Sequence, residues 1–258
     1  MTLTEYFSLV NLQARMALKA DASQYFFGYI WWVLEPLLYV GVFYVVFNIF
    51  LDAQRADYLV FLMCGKLPFV WFSKSVSQAS RGIVANAGII GRINVPKSIF
   101  PMAIIHQTLR KQVAVFALLF AVLVLYDYQV GWVWFWLAPI LVVNYLLIVG
   151  CAFLGSILVC FMRDFNMLIT LGMIFLMFTS GIFWDVRSLA DPQMTEWILA
   201  ANPIAFLLDA YRQVLMYGQP PDVFLLTMVG LGSGLLVVVM LGTLRRWSKL
   251  LALKALTA

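Results

Sequence analysis

Charge is what this sequence has least of. Aspartate, glutamate, lysine and arginine make up 11% of its 258 residues, against 64% hydrophobic ones, whereas soluble domains carry about 25% charged residues. That is too little charge to coat a globule in water, so an ordinary soluble domain is excluded and the bilayer is the fitting solvent. Histidine is rarer still. His106 stands alone, and with no paired carboxylates or metal-ligand spacing there is little to support catalysis or metal binding. The three cysteines, Cys64, Cys151 and Cys160, lie inside apolar runs; they match neither a disulfide framework nor a metal site and read as packing residues. A nucleotide-binding loop is lacking too. Gly65-Lys66 has neither the earlier glycine nor the following serine or threonine, so ATP-driven work must come from another chain. No internal repeat is apparent, which counts against a secondary transporter built from inverted repeats. No pattern of a cleavable leader is expected at the N-terminus.

What is present is length in apolar runs. About 20 apolar residues cross a hydrocarbon core of roughly 30 Å. Six segments qualify: 28–51, 58–77, 102–126, 132–161, 165–184 and 223–244. The third carries Arg110 and Lys111 near its start, and Met162-Arg163-Asp164 forms a tight hairpin between the fourth and fifth. Together they make one transmembrane domain over residues 1–258. Basic residues set the orientation. With the N-terminus inside, Arg15, Lys19, Arg81, Arg92, Lys97, Arg110, Lys111, Arg163, Arg245, Arg246, Lys249 and Lys254 fall on the cytoplasmic side. The outer side keeps Arg55, Arg187 and Arg212 beside eight acidic residues (Asp52, Asp57, Asp127, Asp185, Asp191, Glu196, Asp209 and Asp222). Six spans then place both termini in the cytoplasm. The net charge of +5 reads as this loop bias rather than as a nucleic-acid surface. Lys66 is expected to snorkel to the outer interface.

Two further regions read as helices that do not span. Residues 4–20 set Glu5, Ser8, Asn11, Arg15 and Lys19 on one stripe against Phe7, Val10, Ala14, Ala17 and Leu18. This pattern fits a helix in the interface plane with its apolar face toward lipid, or a cytoplasmic helix packed on the bundle. Residues 188–217 read as two short outer helices, 191–200 and 203–217, divided by Asn202-Pro203 and ended by Gly218. They are either re-entrant or a surface hairpin.

Charges within apolar spans carry function by default, because each costs at least about 2.5–3.5 kcal/mol at mid-membrane. Glu35 precedes Pro36 early in the first span, where a kinked helix bearing a carboxylate would flank an internal path or pair with a neighbouring base. Tyr29, Trp32, Tyr39 and Phe43 recur at helical spacing. They are helix packing or the wall of a sugar-stacking channel. Trp132, Trp134 and Trp136 suit an interfacial belt. His106 reads as structural.

The order of these pieces resembles the permease subunit of the ABC exporters that move cell-surface polysaccharides such as O-antigen, capsule or teichoic acid. The residues that carry the likeness are Gly28-Tyr-Ile-Trp-Trp-Val-Leu-Glu35-Pro36, then Asn86-Ala-Gly-Ile-Ile-Gly-Arg-Ile-Asn-Val-Pro96-Lys97, then Arg163-Asp164-Phe165 and Asn202-Pro203. The resemblance implies an all-helical homodimer in the bacterial inner membrane, with two copies of a cytoplasmic ATPase that hold the ATP and magnesium, and a lipid-linked polysaccharide as cargo. It implies a coupling segment at Asn86, Ile89, Ile90, Arg92 and Ile93, joined by Arg163 and Asp164. It also implies a lateral opening at residues 4–20, an outer exit at 188–217, and head-group contacts from Arg15, Lys97, Arg110 and Lys111. Rival expectations are a drug or small-lipid exporter permease, a membrane-embedded transferase working through Glu35, Asp164 or His106, and a passive channel.

Overall fold

The computed structural model of the chain describes residues 2–23, 26, 28–46, 57–93 and 95–257. Among them there are helices and turns and no strand. Helix α1 (Leu3–Ser23) opens with a reciprocal cap, in which Thr2 N–H donates to Glu5 Oε2 (3.0 Å) and Glu5 N–H to Thr2 Oγ1 (3.3 Å); the pair satisfies donors that the first turn leaves orphaned. A short 3-10 turn, Gly28–Ile30, leads into α2 (Trp31–Tyr44). Then come α3 (Tyr58–Ser80), the small helices α4 (Gly82–Ala85) and α5 (Ala87–Ile90), α6 (Ile99–Leu125), α7 (Leu137–Phe161), α8 (Phe165–Thr179), α9 (Pro192–Ala201), α10 (Pro203–Leu215), α11 (Val223–Arg246) and α12 (Ser248–Thr257).

Among the described residues, four helical segments are long and apolar enough to cross a membrane: α3, α6, Trp132–Phe161 and α11. α1 and Gly28–Tyr44 meet the same test only as a pair, and they turn through 102° between them. α8 is apolar but has 15 residues, about 22 Å of helix. It was expected to run to Trp184 and instead stops at Thr179, because Gly181 adopts φ +70° and turns the chain. The end of the first expected span, past residue 46, and Arg55 lie outside the described residues.

α3 is the hub, packed against α6, α7, α10, α2 and α8. Its burial is nearly complete from Tyr58 to Phe69. α11 presents apolar side chains such as Leu231, Leu235 and Val238 outward along most of its length. An outward apolar face is a fault in water and the normal surface of a lipid-facing helix.

Of the two settings expected for α1, the contacts are those of a helix packed on the bundle rather than of one turning its apolar face to lipid. Val10, Ala14, Leu18 and Ala22, spaced four apart, are its buried stripe against α6, while Leu9, Leu12 and Met16 are exposed. Two of its polar residues, Asn11 and Asp21, reach the bundle as well. Asn11 Oδ1 accepts from Arg110 Nη2 at 3.1 Å and lies 3.3 Å from His106 Nδ1, and Lys111 pairs with Asp21. α1 is thus pinned to α6 by both apolar and polar contacts.

The outer pair follows its sequence punctuation closely. Asn202 Oδ1 accepts from the backbone N–H groups of Ile204 (3.1 Å) and Ala205 (3.2 Å), its Nδ2 donates to Ser180 Oγ (3.0 Å), and Pro203 takes the first helical position. Gly218 at φ +61° ends the unit, with Gln219 N–H reaching back to Gln213 O at 2.8 Å. Every residue of α10 from Ile204 to Leu215 is buried, so α10 is inserted into the protein rather than lying on it.

Candidate functional site

The site begins with two charges that apolar spans should avoid. Glu35, on α2, meets Lys74 of α3 at 2.7 Å. Lys111, on α6, pairs with Asp21 at the end of α1 and sits 5.4 Å from the centre of the Trp32 ring. These four side chains, with Trp32, Trp71, Thr108 and Gln112, line one cavity of about 310 Å³ between α2, α3 and α6. Such charges persist among apolar helices when they are paired and face an internal, polar space. Trp71 Nε1 is, among the described residues, the one buried side-chain nitrogen or oxygen left without a hydrogen-bond partner. It is a donor without an acceptor on the wall of a polar cavity, and such an orphan calls for a polar occupant.

A second cleft of about 410 Å³ shares Val70, Lys74 and Gln78 with the first and continues between α2, α3 and α8. Tyr39 lies on one side, Met173 and Met177 on the other, and Lys66 of α3 with Arg81 just past its end behind them. Lys66 does not snorkel outward. It is 5% exposed, its Nζ lies 2.9 Å from Met177 Sδ and 4.6 Å over the Phe43 ring. Lys66, Lys74 and Arg81 recur at intervals of eight and seven residues, which puts a cationic row along one side of α3.

The aromatic stripe of α2 therefore borders the two clefts and also packs. Tyr29 stands edge-on to Trp32 (4.8 Å between centroids), and Phe43 packs on Phe183 (4.8 Å). Trp32, Glu35 and Tyr39 line the two clefts. Glu35 is paired with Lys74 and also lines the first cleft. Replacing Glu35 with glutamine is expected to leave helix content unchanged and to cut transport several-fold, because Lys74 then stands unpaired in the cleft. Transport that is unaltered in E35Q vesicles excludes a role for the pair.

Of the other expected residues, Arg110 is taken up by Asn11 and Arg15 is exposed on α1. Lys97 lines a different cleft, between Pro96 and Arg245. On the first long loop, Ile89 (44%), Ile93 (55%) and Arg92 are exposed, but Ile90 is only 6% exposed. α12 packs on α5 there, close enough that a Cβ on the neighbouring Gly91 would meet Leu256 Cδ2 at 3.1 Å. Asn86 turns back to its own helix, Nδ2 donating to Gly82 O at 2.8 Å. Arg163 and Asp164 are exposed in the α7–α8 turn.

Sequence reasoning missed Lys74, Asp21, Trp71 and Gln112, and it placed Arg212 among the outer loop charges. Arg212 is 2% exposed. Its Nη1 donates to Gly181 O (2.7 Å), Nη2 to Ile182 O (3.0 Å) and Nε to Phe61 O (3.4 Å), and its guanidinium lies 3.6 Å over the Phe61 ring. Gly65 leaves the room it needs, since a Cβ there would collide with Arg212 Nη2. Gly65→Ala is expected to displace the guanidinium and lower thermal stability by about 1–3 kcal/mol. The loss should shrink in an Arg212→Met background, which a double-mutant cycle reads directly.

Asp209 explains the other charge of α10. It is nearly buried and holds Arg187 with two oxygens, Nε to Oδ1 at 3.0 Å and Nη2 to Oδ2 at 2.8 Å. That pairing raises the Arg187 pKa and ties the 186–188 turn to α10.

A helical bundle with apolar outer faces, a buried α10 and a charged internal cleft defines a multi-pass membrane protein. Residues 91–216 match the family described as ABC-2 type transporter. Curated relatives agree over most of their length. An "O-antigen export system permease protein RfbA" of Klebsiella pneumoniae is 26% identical over 213 residues, 82% of each chain. A second protein of that name and organism is 25% identical over 213 residues, again 82% of each. One from Myxococcus xanthus is 20% identical over 220 residues, 85% of each.

Proposed function

We propose that this chain is the permease half of an ATP-driven exporter that carries a lipid-linked polysaccharide, O-antigen or capsule, outward across the bacterial inner membrane. The observation that carries the proposal is the connected pair of clefts along α3, where indole and phenol rings alternate with Glu35, Lys74, Lys66, Gln78 and Gln112. Sugar chains present apolar ring faces edged by hydroxyls, and such walls offer both stacking and hydrogen bonds. A drug or a simple lipid needs no such density of polar groups. The names of the relatives point to the same cargo.

In this proposal α2, α3, α6, α7, α8 and α11 are the six spans, with both termini in the cytoplasm. α1 lies at the inner interface and α9–α10 re-enter from the outside, too short to cross at 10 and 13 residues. Two copies face each other through the sides of α2 and α8, where Leu38, Val42, Leu171, Ile174 and Phe178 are exposed next to the clefts; a second copy would close the path. Ile89, Arg92 and Ile93, with Arg163 and Asp164, form the docking face for two copies of a cytoplasmic ATPase, which holds ATP and magnesium. Closure of those ATPases pushes the face and shifts the dimer between two arrangements. Arg15, Arg110 and Lys111 guide the phosphate-bearing end of the cargo past α1, as cations suit that charge.

An embedded transferase finds less support. Glu35 is paired with Lys74, His106 lies against Asn11, and Asp164 is exposed at the α7–α8 turn, so the three do not form an acid–base pair. The test is co-purification with the cognate ATPase, followed by ATP hydrolysis with and without a lipid-linked glycan. Stimulated hydrolysis is expected. A chain that transports or transfers sugar with no ATPase bound defeats the proposal.

A further inference from the structure

A third cleft lies apart from the sugar path. It encloses about 700 Å³, within the roughly 300–1,000 Å³ of ligand sites, and its body is apolar: Phe7 of α1, Met102 of α6, Phe153 of α7, and Val237 and Leu241 of α11. Its rim is polar. Pro96, Ser98 and Arg245 are shared with an adjoining pocket of about 340 Å³ that also contains Lys97 and Ser248. Tyr6 Oη donates to Ser98 Oγ at 3.1 Å beside them.

The charges at this rim are unbalanced. Lys97 is 4% exposed, and its Nζ donates to one backbone carbonyl, Val95 O at 3.1 Å. Arg245 joins no ion pair with any described residue. Burial lowers the Lys97 pKa, the direction expected of an ammonium that lacks its counter-anion. Two cations with spare donors, set at the mouth of an oily cleft beside outward-facing α11, are complementary to a phosphate carrying a hydrocarbon chain. Basic pockets between helices at the membrane surface hold anionic lipids in this way.

We propose that this cleft binds an anionic phospholipid of the surrounding membrane, with an acyl chain along Phe153, Val237 and Leu241 and the phosphate between Lys97 and Arg245. A lipid-linked cargo shares that chemistry, but the cleft opens beside α7 and α11, whereas the sugar path runs along α2, α3 and α8. The bound lipid cements α1, the 95–98 loop and α11 into one unit.

The test uses the purified full chain and native mass spectrometry, with phosphatidylglycerol, phosphatidylcholine, a polyprenyl diphosphate and inorganic phosphate as probes. Phosphatidylglycerol should be retained at about tenfold lower concentration than phosphatidylcholine. Lys97→Gln with Arg245→Gln should remove that preference. Val237→Trp, which fills the apolar body and spares both cations, should weaken binding of either lipid. Equal retention of the two lipids overturns the proposal, as does unchanged retention in folded variants. Displacement of phosphatidylglycerol by polyprenyl diphosphate at matched concentration assigns the cleft to cargo, and displacement by millimolar phosphate reduces it to an anion site. Either result overturns the phospholipid assignment. None of these outcomes depends on ATPase coupling, so the export proposal stands or falls separately.

Discussion

Arg212→Met should unfold about 4–16 °C below the parent in detergent. The guanidinium supplies hydrogen bonds to Gly181 O and Ile182 O in the turn that follows α8, where the backbone has left the helix and its buried carbonyls need a donor from elsewhere. Each carbonyl stranded in the interior costs about 1–3 kcal/mol. Methionine refills the apolar volume but donates nothing. Against this stands the cost of burying a cation with no carboxylate in hydrogen-bond contact, which replacement would relieve. The carbonyls win because two of them are left and the Phe61 ring loses its cation. The net loss is about 2–4 kcal/mol, and for a chain of this size each kcal/mol moves the midpoint by about 2–4 °C. Arg212→Lys should recover less than half of it, since an ammonium cannot span the same fork. If methionine leaves the midpoint unchanged, the guanidinium is not the tie between α8, α3 and α10 that its bonds describe.

Ile89→Asp combined with Ile93→Asp should abolish co-purification with the ATPase while leaving the permease folded. Both side chains are exposed, so the exchange costs the isolated subunit little. Each isoleucine buried in a contact is worth about 1.5–3 kcal/mol, and with 1.4 kcal/mol per factor of ten the pair should weaken the complex about 100-fold or more. Ile90→Asp is the instructive contrast. It places a charge under α12 and should destabilise the subunit itself, seen as a lower unfolding temperature without any ATPase present. Pull-down of the ATPase by the double variant at wild-type levels would move the docking face elsewhere. A fall in pull-down for I90D alone says nothing about docking unless stability is measured beside it.

Much of the architecture follows from one-dimensional signals. Apolar runs mark α3, α6, α7 and α11 because lipid demands a stretch of that length. The outer pair is written in Asn202-Pro203 and Gly218, because a cap, a proline and a left-handed glycine act on their immediate neighbours. The span at residues 165–184 was overextended, since hydropathy carries no information about Gly181 turning the chain.

The site was legible in part. Glu35 announced itself as a carboxylate among apolar residues, and Trp32 and Tyr39 by their spacing. Lys66 and Lys74 carried the same anomaly and could have been found by the same rule, as an eight-residue recurrence on one side of α3. Arg212 and Ile90 could not, because each owes its burial to a segment distant in sequence: Gly65 makes room for the guanidinium, the Gly181 and Ile182 carbonyls receive it, and α12 packs on the helix of the isoleucine.

The sequence by itself determined that the chain lives in a bilayer, that it has several apolar helices with short polar turns, and which residues would be anomalous there. Composition and period suffice for that, since solvent choice and helix length depend on local content alone. Only the tertiary structure decided which anomalies meet: Glu35 with Lys74, Asp21 with Lys111, Arg212 with two distant carbonyls, Lys97 with the rim of Arg245. Partner choice is a matter of which helix faces which. In a chain with so little charge, those few encounters place its polar side chains around internal clefts instead of leaving them scattered.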